Sequence, residues 1–118
     1  TNDLVQYTLA VDRGNANISY LYNHFNPAVL RLVQRTITSA RENGIWAGMC
    51  GEMASDPNAA VLLMAMGINE LSMSAPSIPR VKEKIRSISS VKAKEILADV
   101  MTMEDGDDIR NYLQKILG

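Results

Sequence analysis

The sequence predicts an α/β domain of parallel strands with intervening helices, and three observations carry that reading. Short apolar runs alternate with amphipathic helical stretches, two of the helices open on an Asn-Pro or Asp-Pro pair, and the runs 45–49 and 70–74 each give way to a loop. Strands this short and this apolar suit sheets covered on both faces. Such units build doubly wound sheets and eight-stranded βα barrels. A barrel takes about 250 residues, so on that reading these two or three strands form roughly the last third of a TIM-type (βα)8 barrel, incomplete on its own.

The elements follow in order. Thr1-Asn2-Asp3-Leu4 passes at once into the apolar stretch 4–11 without an initiator Met or a polar lead-in, so the chain is expected to be a fragment or processed piece of something larger. Asp12-Arg13-Gly14-Asn15 is a polar break. Asn26-Pro27 is an N-cap with proline in the first turn, and Val29, Leu32, Val33, Thr36, Ile37 and Ala40 recur at helical spacing until Asn43-Gly44. Residues 45–49 are too few for a helix and read as a strand buried on both faces. Asp56-Pro57 repeats the cap and opens a helix over 58–66, apolar almost all round, which has to be well covered; Gly67 stops it. Residues 70–74 form a second strand, Pro76 and Pro79 punctuate the next loop, and a helix runs over 79–87.

The βα units thus occupy 1–87, and 88–118 holds two terminal helices. Val91, Ile96, Leu97, Val100 and Met101 line the first; Ile109, Tyr112, Leu113, Ile116 and Leu117 line the second. Asp105-Gly106-Asp107-Asp108 between them reads as a helix cap, because it lacks the ligand ladder and terminal Glu of an EF-hand.

Composition narrows the function classes. With 118 residues, 47% hydrophobic and 21% charged, the chain has ordinary globular content. Twelve basic against thirteen acidic side chains leave a net charge of -1, which provides no general footprint for nucleic acid or an anionic membrane. An anion has to be gripped locally. No apolar stretch approaches 18 residues, no secretory leader opens the chain, and a single cysteine permits no internal disulfide, so a cytoplasmic setting is expected.

That cysteine, Cys50, sits in Gly48-Met49-Cys50-Gly51-Glu52, where strand should become loop. The ends of strands carry the chemistry of α/β folds, and flanking glycines let backbone approach a ligand. By itself a lone cysteine beside an apolar run reads first as a small core hydrophobe. The seven methionines read as core filling.

The runs Thr1-Asn2-Asp3-Leu4, Gln6-Tyr7-Thr8-Leu9-Ala10-Val11-Asp12-Arg13, Gly48-Met49-Cys50-Gly51-Glu52 and Leu71-Ser72-Met73-Ser74 resemble the C-terminal phosphoenolpyruvate-binding barrel of the enzyme I family. These are the phosphoenolpyruvate-protein phosphotransferases of the bacterial sugar phosphotransferase system. The resemblance is close from Thr1 to about Arg86 and loose over the last thirty residues or so. Phosphoenolpyruvate synthase and pyruvate phosphate dikinase share the Asn-Asp and Cys-Gly elements, but the wording of 7–13 is nearer to enzyme I.

The resemblance implies a role for each of four residues. Asn2 would contact the phosphoryl group and Asp3 would ligate a magnesium ion (Mg2+), which commonly takes only one or two protein carboxylates besides substrate and water. Without the resemblance, Asn2-Asp3 is a turn or helix cap. Arg13 would hold the substrate's anionic end through its guanidinium fork, the alternative being a surface pair with Asp12. Cys50 would protonate the methylene carbon of the pyruvate enolate left when phosphoenolpyruvate loses its phosphoryl group. All four are expected on one rim of the parallel strands.

Glu52 reads as a loop-ordering carboxylate. His24 reads as a loop residue and not as the family's phosphoryl acceptor, which belongs to a separate N-terminal domain. The implied partners are phosphoenolpyruvate and pyruvate, the phosphocarrier protein HPr through that missing domain, and a second copy in a homodimer. A non-catalytic dimerisation module is the alternative of a different class. The 118 residues alone are expected to be inactive.

Overall fold

The computed structural model describes residues 1–118 and is mostly helical around one small parallel sheet. Local capping chemistry sets most helix ends. Helix α1 (Asn2–Leu9) stops at Ala10, a left-handed residue whose N–H reaches the Gln6 and Tyr7 carbonyls. Helix α2 (Pro27–Glu42) opens on Asn26, whose side chain accepts the Ala28 N–H, and buries Val29, Leu30, Val33, Ile37 and Ala40. That is the face the 3.6-residue spacing marks out, with Leu30 added and Leu32 and Thr36 left exposed.

Strands β1 (Gly48–Met49) and β2 (Glu70–Leu71) pair in parallel, Gly48 opposite Glu70 and Met49 opposite Leu71. Both are shorter than the runs 45–49 and 70–74 predict. The expectation of a strand buried on both faces is corrected here: Ala47 and Met49 are buried, whereas Ile45 and Trp46 are 63% and 78% exposed. Ile45 N–H still bonds the Ala40 carbonyl at the end of α2. Ala47 is tied to Asn69 twice, its N–H to the side-chain oxygen and its carbonyl to the Asn69 N–H, so the run becomes sheet only at Gly48. A strand's second face is buried only by elements packed against it, and none of these 118 residues covers Trp46.

The crossover between the strands is short helix α3 (Glu52–Ser55) followed by α4 (Pro57–Met66), which is the centre of the molecule. Ala59, Ala60, Val61, Leu62 and Leu63 are all fully buried, which answers the all-round apolar sequence. Gly67 closes α4 at φ 94. Helices α5 (Ile78–Arg86) and α6 (Ser90–Val100) flank α4, and α7 (Gly106–Leu117) completes the chain. One core cluster joins Val5 of α1 and Phe25 with Leu30 of α2, Leu62 of α4, Ile96 of α6 and Leu113 of α7. In α6 the buried face is Ala93, Ile96, Leu97 and Val100; Val91 points outward. Asp105 caps α7 through the Asp107 and Asp108 N–H groups, as its position predicts.

Asp56 does two jobs at the start of α4. One carboxylate oxygen accepts the Asn58 and Ala59 N–H groups, and the other lies 3.0 Å from His24 Nε2. Burial pushes its pKa up, but the His24 contact and the two backbone donors outweigh this and hold it below the ordinary 3.8. A depressed carboxylate stabilises the fold above its unfolded pKa, and the benefit disappears as pH falls through the folded value. Asp56→Ala is therefore expected to cost about 1–2 kcal/mol at neutral pH. In denaturant titrations its deficit against the parent should shrink below about pH 4. An unchanged deficit at pH 3 would contradict the assignment.

Candidate active site at the end of the first strand

Strand β1 ends at Met49, and the next residue, Cys50, is exposed as a free thiol. The core-hydrophobe reading of this cysteine is thereby excluded. Gly51 follows with φ 106 and ψ -176, a conformation that glycine adopts and side chains resist. The reason lies opposite: a Cβ on Gly51 would come within 2.8 Å of Thr1 Oγ1 and 3.1 Å of Asn2 Oδ1. The start of the chain is laid directly on the cysteine loop. Thr1 nitrogen and Thr1 Oγ1 both donate to the Cys50 carbonyl at 2.9 Å, and Glu52 N–H donates to Asn2 Oδ1 at 3.2 Å.

Asn2 and Asp3 form the first turn of α1 and not a strand end, so only Cys50 projects directly from the sheet rim. Asp3 is exposed, and its carboxylate sits where the helix N-terminus favours negative charge. Tyr22 bridges to this turn, donating from its hydroxyl to the Asn2 carbonyl at 3.1 Å, with Asn2 Oδ1 at 3.5 Å. Burial first, then the Glu52 carboxylate, raises the Tyr22 pKa above 10.0, against the pull of the Arg13 guanidinium; Asp3 adds a smaller push upward. The phenol therefore stays protonated and a donor at neutral pH.

The charges of Arg13, Asp3 and Glu52 all act on this one phenol, although no hydrogen bond between Arg13 and Tyr22 meets ordinary geometry. Arg13 is exposed and free of ion pairs. Asp12, its neighbour, instead accepts the Gly14 N–H at 2.8 Å, so the surface pair is not formed. The structure thus ties Asn2 directly to the Cys50 loop and keeps Asp3 beside it in the same turn, while no hydrogen bond or ion pair links Arg13 to the other three. Tyr22 itself escapes sequence reasoning, since a tyrosine in a connection gives no local signal of a bond to a residue twenty positions earlier.

His24 lies in a turn, as expected, half-buried and paired with Asp56.

A cleft of about 220 Å³ adjoins the loop, lined by Thr1, Leu4, Val33, Ile37, Met49 and Cys50 among others. Of the four candidate residues it touches only Cys50, and its mainly apolar wall is a poor match for a small, highly charged phosphate ester. As to a metal, no group of three or more His, Cys, Asp or Glu side chains gathers anywhere in the chain. One exposed carboxylate on Asp3 fits the small protein share that Mg2+ needs when substrate oxygens complete its shell. No helix is long and apolar enough to cross a membrane.

Comparison with known proteins bears on the same segments. The family described as "PEP-utilising enzyme, PEP-binding domain" matches residues 1–90. Phosphoenolpyruvate-protein phosphotransferase of Buchnera aphidicola subsp. Acyrthosiphon pisum is 49% identical over 117 residues, which is 99% of this chain and 20% of that protein. The Haemophilus influenzae protein of the same name is 54% identical over 99 residues, 84% of this chain and 17% of that protein. The Priestia megaterium protein is 44% identical over 114 residues, 97% of this chain and 20% of that protein. The chain spans about one fifth of the length of the curated relatives it matches. With the match running through the Asn2-Asp3 turn and the Cys50 loop alike, the chain belongs to the PEP-utilising enzymes, as part of their PEP-binding domain, beside relatives named phosphoenolpyruvate-protein phosphotransferase.

Proposed function

We propose that the chain is the closing part of the phosphoenolpyruvate-binding barrel of an enzyme I, which moves the phosphoryl group from phosphoenolpyruvate to one of its own histidines and then to HPr. The observation that carries this is the joining of an exposed thiol to the Asn2-Asp3 turn through the Thr1–Cys50 and Asn2–Glu52 bonds. The names of the relatives favour the phosphotransferase over the synthase and dikinase branches.

Each residue then has a task. The Arg13 fork, free of internal partners, takes the anionic end of the substrate. The Asn2 side chain, its oxygen already held by the Glu52 N–H, presents its amide N–H to the phosphoryl oxygens. Asp3 would hold Mg2+, whose chemistry here is to neutralise charge on the phosphoryl and carboxylate oxygens. Cys50 delivers its proton to the methylene carbon of the departing enolate. A proton donor at that carbon needs an accessible thiol, and Cys50 is exposed.

One carboxylate, one guanidinium and one amide make an incomplete clamp, and phosphoryl transfer depends on positioning and charge stabilisation. The 118 residues alone should therefore not turn over phosphoenolpyruvate. Grafted in place of the matching fifth of the Buchnera relative, they should restore phosphoenolpyruvate-dependent labelling of HPr. A folded graft that binds phosphoenolpyruvate but labels nothing would defeat the reading. The same graft, run through a sizing column, tests the homodimer that belongs to this proposal.

A further inference from the structure

Three consecutive side chains, Tyr22, Asn23 and His24, reach three different elements. Tyr22 bonds Asn2 at the start of α1, and His24 bonds Asp56 at the start of α4, six residues beyond Cys50. Asn23, between them, is the one polar residue among the buried set. Its amide nitrogen donates to Asp107 Oδ1 at 3.1 Å, and its oxygen accepts the Phe25 N–H and an Arg110 N–H, both at 3.0 Å. The fit to α7 is tight, since a Cβ on Gly106 would lie 2.8 Å from Asn23 Nδ2 and 3.0 Å from the Asn26 nitrogen. Tyr22 is thus pinned immediately downstream by Asn23 and His24, and its hydroxyl is a fixed point against which the Asn2 turn can be set.

We propose that Tyr22 is a positioning residue, whose hydroxyl, anchored through Asn23 and His24, holds the Asn2-Asp3 turn in register with the Cys50 loop. The chain of contacts is continuous. Tyr22 fixes the Asn2 carbonyl and lies beside Asn2 Oδ1, that oxygen receives the Glu52 N–H, and the preceding Thr1 holds the Cys50 carbonyl. Helix α7, all of which lies beyond the residues that the family match covers, reaches the site by this route. The functional half of the inference rests on the phosphotransferase reading; the structural half does not.

Tyr22→Phe removes one oxygen and keeps the ring. In the 118-residue chain, amide hydrogen exchange at Glu52 should accelerate about tenfold, while the Leu62 and Leu63 amides of α4 keep their parent rates. Glu52 exchange within about twofold of the parent would overturn the proposal, as would an equal rise at Leu62 and Leu63, which would make the hydroxyl a contributor to global stability only.

In the Buchnera graft, Tyr22→Phe should lower kcat for pyruvate formation about tenfold and move KM for phosphoenolpyruvate less than about twofold, because misregister acts on the transition state more than on ground-state binding. An unchanged kcat in an active graft would overturn it. A parent graft without transfer would refute the phosphotransferase reading, and the exchange result would then decide the Tyr22 inference alone.

Discussion

Cys50→Ala in the Buchnera graft is expected to slow pyruvate formation about 10²–10⁴-fold, the range over which a positioned general acid contributes. The side chain is exposed, so the fold loses little packing, and the melting temperature should stay within the small range of surface substitutions. Serine should not rescue the rate. A thiol titrates near 8.5 in water, whereas an aliphatic hydroxyl is a far weaker acid and gives its proton to carbon much less readily. A cysteine acting as nucleophile would behave differently, because it would form a covalent adduct detectable as added mass on the intact chain. An alanine variant that keeps about a third or more of the parent rate removes Cys50 from the proton-transfer step.

Gly51→Ala is expected to lower the unfolding free energy by about 3 kcal/mol. The φ 106, ψ -176 conformation is nearly closed to residues with a Cβ, at a cost of about 1–3 kcal/mol. Overlap of the new methyl group with Thr1 and Asn2 adds about 1–3 kcal/mol, since Thr1 Oγ1 and Asn2 Oδ1 are themselves held by bonds to the same loop. Gly44 provides the control. It also has a positive φ, 67, but nothing lies within 4 Å of a Cβ there, so Gly44→Ala should cost only the left-handed backbone term of about 1 kcal/mol. Paired chemical denaturation of the two variants separates strain from steric overlap. Equal losses would show that the start of the chain does not rest on the cysteine loop in solution.

What could be read from the sequence was the chemistry that acts over three or four residues. Asn26 before Pro27, Asp56 before Pro57, Gly67 after Met66 and Asp105 before Gly106 each satisfy backbone groups in the adjoining turn, and each sits where it was expected. The helix over 58–66 announced its burial by having no polar face. The strands were harder, because a strand exists only where a second strand lies beside it; 45–49 is a short, largely apolar run, but only Gly48 and Met49 meet β2. The outward-facing Ile45 and Trp46 show the same dependence on distant neighbours.

For the proposed site, motif wording nominated Cys50, Asn2, Asp3 and Arg13 but was silent on the contacts around them. Tyr22 meets Asn2 across twenty positions and His24 meets Asp56 across thirty-two, and no local pattern encodes either contact. Asn23, buried under α7, could not be told from an ordinary loop asparagine before the fold was known.

Trp46 has a practical consequence. It is the sole indole in the chain, it stands 78% in water, and it precedes the exposed thiol by four residues on the open side of the sheet. Its fluorescence therefore reports on that face alone, without competing emitters of its kind. Whatever polypeptide comes to cover the sheet will exclude solvent from the ring and move its emission to shorter wavelength, giving an optical record of assembly from the unmodified protein.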